Sequence, residues 1–325
     1  MECPGKPKVS RRTFLGLAAA AASVEATGQS PAIPIIDSHI HLYDPARPQG
    51  VPWPGKDNAT LYQSALPGRY RKIAGPLGVT GAIAVECSPW LEDNQWVLDT
   101  AAGDTMIVGV VGNLEPGLPD FRRQLERFHR NPLFRGIRYG NLWGRNLGAE
   151  LSKPEFVSDL RALAEAGLEL DTANPNPALI AAAVRVSDLV PRLRIVIDHL
   201  PQASPPASQA AREEYQGNLR ELGRRPQVYV KVSEVLRRVD GKVPYNLDFY
   251  RSTLDQLWDI FGQDRLLFGS DWPNSDQWAP YPAVLNVVRE YFTGKGQAVA
   301  EKFFWKNSVA AYGWIKRDER QPELR

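Results

Sequence analysis

From about residue 33 onward, eight short β-rich runs alternate with longer stretches of helical apolar spacing, and this alternation constrains the 325-residue chain more than any other feature. The runs fall at residues 35–39, 81–86, 106–112, 135–139, 168–172, 194–199, 228–233 and 266–271. They are near-continuously apolar, as strands buried on both faces are, so they read as a parallel sheet covered by helices. The spacing predicts helices over 120–128, 156–166, 177–189, 210–223 and 250–261, with a final helix over 298–312. At this length the natural closed form is a single α/β catalytic domain, the (β/α)8 TIM barrel. An open doubly wound sheet would carry a glycine-rich turn after its first strand. Here the first run leads into His39-Ile40-His41 instead. No repeat, low-complexity tract or linker divides the barrel, which is assigned to residues 31–318. The Pro- and Ser-rich stretch 201–206 reads as a loop, and the charged end, from Lys316 through the tail 319–325, is expected to fray.

In such a barrel the active site lies at the carboxyl ends of the strands. Those ends carry His39 and His41, Glu86, Asn113, Arg138, Asp171, His199, Lys231 and Asp271. Three of the four histidines are among them, whereas His129 sits in a basic amphipathic stretch and reads as a surface residue. A strand has a side-chain period of two, so Asp37, His39 and His41 are expected on one side. Convergence of His39, His41 and His199 with Asp271 from the last run would make a hydrolytic site. The imidazoles and Asp271 can hold one divalent ion, zinc or manganese, through His39, His41 and Asp271. They can equally act without metal, as donors to a carbonyl while Asp271 takes a proton from water. The fifth run, Leu168-Glu169-Leu170-Asp171-Thr172, lacks a further histidine, and the fourth ends in Arg138 rather than a lysine. A binuclear centre is therefore not expected, and no cofactor is required. Arg138 reads as a clamp for a carboxylate or hydroxyl, or as the partner of Glu86 or Asp171. Glu86, Lys231 and Trp272 join it as candidate substrate contacts. Trp53, Trp90, Trp143, Trp272 and Trp278 all follow presumed strands, where indoles can stack on a ring or plug the loops.

The first 30 residues stand apart. Arg11-Arg12 precedes a short, weakly apolar run rich in alanine, the pattern of a twin-arginine export signal, which implies an extracytoplasmic, periplasmic location. That run is too short to span a bilayer. A net charge of +2 gives no sign of a role built on nucleic acid or membrane surfaces, and a small-molecule substrate is the expected partner. Cys3 lies within the export segment, so Cys87 has no internal partner and reads as a small buried hydrophobe.

Five motifs, in this order, resemble the amidohydrolase-related family, and within it the branch of sugar-acid and pyrone-dicarboxylate lactonases. They are Ile36-Asp37-Ser38-His39-Ile40-His41, Phe134-Arg135-Gly136-Ile137-Arg138, Val196-Ile197-Asp198-His199-Leu200, Val230-Lys231-Val232-Ser233 and Leu267-Phe268-Gly269-Ser270-Asp271-Trp272-Pro273. The closing stretch Asn307-Ser308-Val309-Ala310-Ala311-Tyr312 is similar to the family's final helix. The resemblance implies a (β/α)8 barrel and hydrolysis of a cyclic ester, in several members without metal. Asp271 would then activate water, His39, His41 and His199 would polarise the lactone carbonyl, and Arg138 would anchor a carboxylate or ring substituent. Glu234 stands where the family usually has glycine, and Glu86 where it often has glutamine. Both departures add acid near the mouth and bear on which substrate is bound. A metal-dependent hydrolase or non-oxidative decarboxylase of the same superfamily, and a non-catalytic sugar-acid binding protein, are the alternatives.

Overall fold

The computed structural model describes residues 32–324, and the expected export segment, residues 1–30, lies outside them. Eight parallel strands form one sheet in sequence order: β1 (Ile35–Ile40), β2 (Val79–Val85), β3 (Ile107–Gly112), β4 (Phe134–Arg138), β5 (Glu169–Thr172), β6 (Arg194–Ile197), β7 (Val228–Val232) and β8 (Leu266–Phe268). Each expected run is a strand, within one or two residues at most ends; β6 and β8 stop two and three residues early. Closure runs through the upper ends of β1 and β8. The amide of Asp271 donates to the carbonyl of His39 (2.9 Å), and that of His41 donates to the carbonyl of Trp272 (2.7 Å). The bonds that close the barrel thus also bring the first and last motifs together, and the expected (β/α)8 architecture holds.

Helices pack outside this barrel. Residues 177–189 show how local chemistry starts one: Asn176 accepts from the Leu179 amide and Pro177 fills the first helical position, where no N–H is needed. The expected final helix is three pieces, Gln297–Glu301, a wide π-type turn over Lys302–Lys306, and Asn307–Tyr312. Inside the barrel, Ile36, Ile83, Val108, Val196 and Leu267 pack with Tyr312 and Trp314, which plug it from the chain's end.

Two local expectations are corrected. Residues 316–324 do not fray. Arg317 donates to the carbonyls of Ala101, Asp104 and Ile107 at 2.7, 3.0 and 2.7 Å, and Gln321, 2% exposed, donates to those of Thr80 and Thr105. These carbonyls lie around the amino ends of β2 and β3, so the charges that suggested a solvated tail serve as donors to the barrel floor. The second correction concerns β1. Its register with β2 slips between Asp37 and Ile40, where three steps on β1 match two on β2. The extra residue is a bulge, which reverses the in–out alternation. Asp37 therefore points outward, accepting from Tyr70 (2.8 Å) and Tyr281 (2.9 Å), while His39 and His41 point into the barrel.

Candidate active site

Asp271 follows β8 and is 1% exposed. Its Oδ1 lies 3.1 Å from His41 Nε2 and 3.5 Å from His39 Nε2, and its Oδ2 accepts from Asn274 Nδ2 at 2.6 Å. The His199 ring stands 4.5 Å from that of His39, and its Nδ1 bonds the Ser233 hydroxyl at 2.8 Å. Strands β1, β6 and β8 thus deliver three imidazoles around one carboxylate. Gly269 makes the approach possible, since a Cβ there would meet the Cβ of His39 at 2.9 Å. Burial alone would raise the Asp271 carboxyl, but the His199, His41 and His39 rings outweigh it and hold Asp271 well below the usual carboxylate range. Burial is the largest influence on His39 and His199 and lowers both, so these rings are neutral at pH 7.

The cavity above Asp271, open to solvent, holds roughly 640 Å³ of empty space and is walled by His41, His199, Arg138, Trp53 and Trp143. Its rim adds Glu234 and the amides of Asn174, Gln202 and Asn274. Six non-glycine residues among those described have φ in the left-handed region, and five of them line this cavity: Trp143 (60°), Asn174 (55°), His199 (53°), Glu234 (51°) and Asp271 (60°). Such backbone costs about 1–3 kcal/mol per residue and persists where surrounding structure enforces it, characteristically at functional sites. Its concentration on one cavity marks this one as the site.

The expected residues divide by depth. His41, His199, Arg138 and Asp271 line the cavity, as do two of the five tryptophans, Trp53 and Trp143. His39 is completely buried behind Asp271. Glu86 does not line the cavity either; it takes Arg138 Nε at 2.9 Å and Trp143 Nε1 at 3.1 Å and so holds two residues that do. Expectations for Trp272 and Lys231 as substrate contacts are corrected, because both are 0% exposed. The Trp272 indole packs on Tyr70 on the outer side of β8, following the turn that aims Asp271 inward. Lys231, in β7, points into the barrel, where two carboxylates and the His39 ring meet its ammonium. It pairs with Asp171, lies 3.0 Å from Asp198 Oδ1, and donates to His39 Nδ1 at 3.2 Å. Arg138 Nη1 also reaches Asp198, at 3.6 Å. Burial and Asp198 raise Asp171 to about 6 even beside Lys231, while Glu169, next to it, is pushed well above the usual range by burial and by Asp171. Gly136 leaves the room Glu169 occupies, since a Cβ there would collide with the Glu169 carboxyl. Tyr312 closes the cluster by donating to Asp171 at 2.8 Å.

Sequence reasoning did not place Asp198, Glu234 or Asn274 in the site. Asp198 had a signal, directly preceding His199 in a strand-end motif. Glu234 was visible as a departure from the family pattern, whereas nothing marked Asn274. Cys87 is buried as expected, and its thiol is pushed up by burial and Glu86. His129 is exposed, also as expected.

Ring-nitrogen assignments bear on whether this site fits a metal ion. Lys231 donates to His39 Nδ1, so a neutral His39 ring carries its proton on Nε2. His41 Nδ1 sits 2.9 Å from the Val85 carbonyl and must donate to it. His41 Nε2 then faces Asp271 with a bare lone pair, unless a second proton or a cation lies between them. His39 Nε2 is buried with no hydrogen-bond partner. Ligand atoms of His39, His41 and Asp271 all lie within 4.8 Å of one another. Two imidazoles and a carboxylate are a donor set suited to a single zinc-like ion, and these residues fit one when the His39 proton sits on Nδ1, 3.6 Å from Asp198, and leaves Nε2 bare.

The amidohydrolase family pattern matches residues 36–314. An L-fucono-1,5-lactonase of Burkholderia ambifaria is 31% identical over 249 residues, covering 74% of this chain and 80% of that protein. An L-fucono-1,5-lactonase of Burkholderia multivorans is 25% identical over 287 residues, covering 85% and 94%. An amidohydrolase of Burkholderia multivorans solved with bound zinc superposes with a TM-score of 0.75 at 22% identity, covering 87% of this chain and all of that one, which speaks to the shared fold.

Proposed function

The chain belongs to the amidohydrolase family, and from that premise we propose that it is a lactonase opening a neutral sugar lactone, with Asp271 as the base that activates water. The observation carrying this reading is the one carboxylate, ringed by His39, His41 and His199, at the floor of a strained polar cavity. Water held on Asp271 attacks the lactone carbonyl and gives its proton to that carboxylate. His199 and Arg138 face the cavity and stabilise the tetrahedral oxyanion, while His41 lies against Asp271. Collapse breaks the ring C–O bond, and the proton on Asp271 passes to the departing alkoxide, leaving a hydroxy acid. His39, too deep to touch substrate, lies behind Asp271 with Nε2 3.5 Å from Oδ1. Where a metal is bound, His39, His41 and Asp271 would hold it, and it would act as a Lewis acid on the carbonyl. The partnerless His39 Nε2 favours this second reading of the same site.

Charge supports a neutral substrate over a pyrone dicarboxylate. Arg138 is the one permanently charged cation among the described residues lining the cavity, and Glu86 and Asp198 already engage its guanidinium. Asp271 adds negative charge, and Glu234, which burial and Asp271 push well above the usual carboxylate range, supplies no cation. Trp53 and Trp143 offer indole surface to a sugar ring.

The test is turnover of aldono-1,5-lactones, L-fucono-1,5-lactone included, against 2-pyrone-4,6-dicarboxylate, with and without chelator. Hydrolysis of the neutral lactones is expected. A protein that opens none of them, or prefers the dicarboxylate, contradicts the reading, and activity lost to chelator and restored by zinc selects its metal-dependent form. The profile of kcat/KM against pH provides a separate check. His39 and His199 are neutral above their lowered values, and as pH falls they gain charge beside Asp271 and weaken it as a base. The acid limb is therefore expected at a midpoint below the ordinary imidazole value of about 6.5. A midpoint at or above that ordinary value would show that these rings are not held neutral.

A further inference from the structure

Glu234 occupies a backbone conformation that suits glycine. Its φ is 51°, a region uncommon for non-glycine residues other than Asn, Asp and His. The backbone turn itself would be easier with glycine, so the carboxylate must be accounted for separately. It does not serve the fold as an ion-pair partner, the nearest basic group being the His199 ring, 3.9 Å away. It lines the cavity. Glu234 Oε1 accepts from Asn274 Nδ2 at 2.9 Å, and the same amide nitrogen donates to Asp271. Gln277 Nε2 fixes Asn274 by donating to its Oδ1 at 2.7 Å, and Asn58 in turn donates to Gln277 Oε1 at 2.9 Å. A relay of three amides thus holds the carboxylate at the rim, beside the base but on a separate backbone turn.

We propose that Glu234 is a specificity-determining residue that accepts a hydrogen bond from a ring hydroxyl of the substrate, selecting polyhydroxylated lactones over bare ones. The inference rests on the lactonase reading above and narrows it to lactones that carry a free hydroxyl within reach of the rim. Glycine at this position would take away the hydroxyl's partner together with the Glu234 bond to Asn274, and would leave the Asn274 bond to Asp271 in place.

Glu234→Gly provides the test, because the variant relieves the backbone and is not expected to misfold. Its Tm should stay within about 2 °C of wild type or rise. KM for L-fucono-1,5-lactone should rise about 5- to 10-fold, as for loss of one buried hydrogen bond, with kcat within threefold. Glu234→Gln, whose side-chain oxygen still accepts, should recover most of the loss. A KM within threefold of wild type overturns the proposal. A fall in kcat at constant KM also overturns it, since Glu234 would then act through Asp271. If the wild type opens no lactone, the parent reading fails and this one with it; if the wild type is active and the glycine variant is indistinguishable from it, only this proposal fails.

Discussion

Replacing Asp271 with asparagine is expected to lower kcat by about 10³-fold while leaving the fold intact, the magnitude typical of losing a general base. Asparagine is the informative replacement because of the backbone. Asp271 sits at φ 60°, where Asn and Asp are tolerated better than most side chains. The amide keeps a similar shape and can still accept from Asn274, so the closing bonds between β1 and β8 should survive. Alanine would combine lost chemistry with worsened strain. The carboxylate's charge is what asparagine removes, and three imidazoles converge on that charge. Steady-state kinetics alongside circular dichroism and thermal unfolding decide the matter. A folded variant retaining more than a tenth of wild-type kcat would mean that water is activated elsewhere.

Lys231→Met is expected to destabilise the protein by about 3–5 kcal/mol, the scale for removing one partner of a buried ion pair. The methionine fills similar space, so the loss is electrostatic. With Lys231 gone, Asp198, 0% exposed, would be left with a buried charge, while Asp171, raised to about 6 even beside Lys231, would rise further and take up a proton. Asp198 would retain only Arg138 and His39, each at 3.6 Å, and has no hydrogen-bonded alignment with either. A catalytic loss should accompany the structural one. With no ammonium donating to it, His39 Nδ1 becomes free to donate to Asp198, and the ring's proton leaves the nitrogen that faces Asp271. Urea unfolding gives the stability, and kcat measured well below the unfolding midpoint gives the second effect. A variant within about 1 kcal/mol of wild type would show that the buried ammonium is not paired as described.

The barrel was legible because parallel strands buried on both faces leave near-continuous apolar runs, and a segment such as Ile107–Gly112 admits few other readings at this chain length. The site was legible because ionisable residues ended nearly every run. What escaped was orientation. One extra residue in β1 separates Asp37 from His39 and His41, and a bulge leaves no mark in composition. Lys231 and Trp272 were expected at the mouth because polar or aromatic residues near strand ends usually face it; Lys231 instead balances acids inside the barrel, and Trp272 lies beyond a left-handed residue that turns the chain. The floor was misread for a related reason: Arg317 and Gln321 look like solvated side chains until their carbonyl partners, more than 200 residues earlier, are in place.

The donation from Tyr312 to Asp171 has a consequence for biosynthesis. A ribosome that has translated all eight strands has not yet supplied this hydroxyl, nor the Trp314 plug beneath it. Until residues 312 and 314 emerge, the nascent barrel holds the acids around Lys231 without the Tyr312 donor, so its interior is completed only after all eight strands have been made.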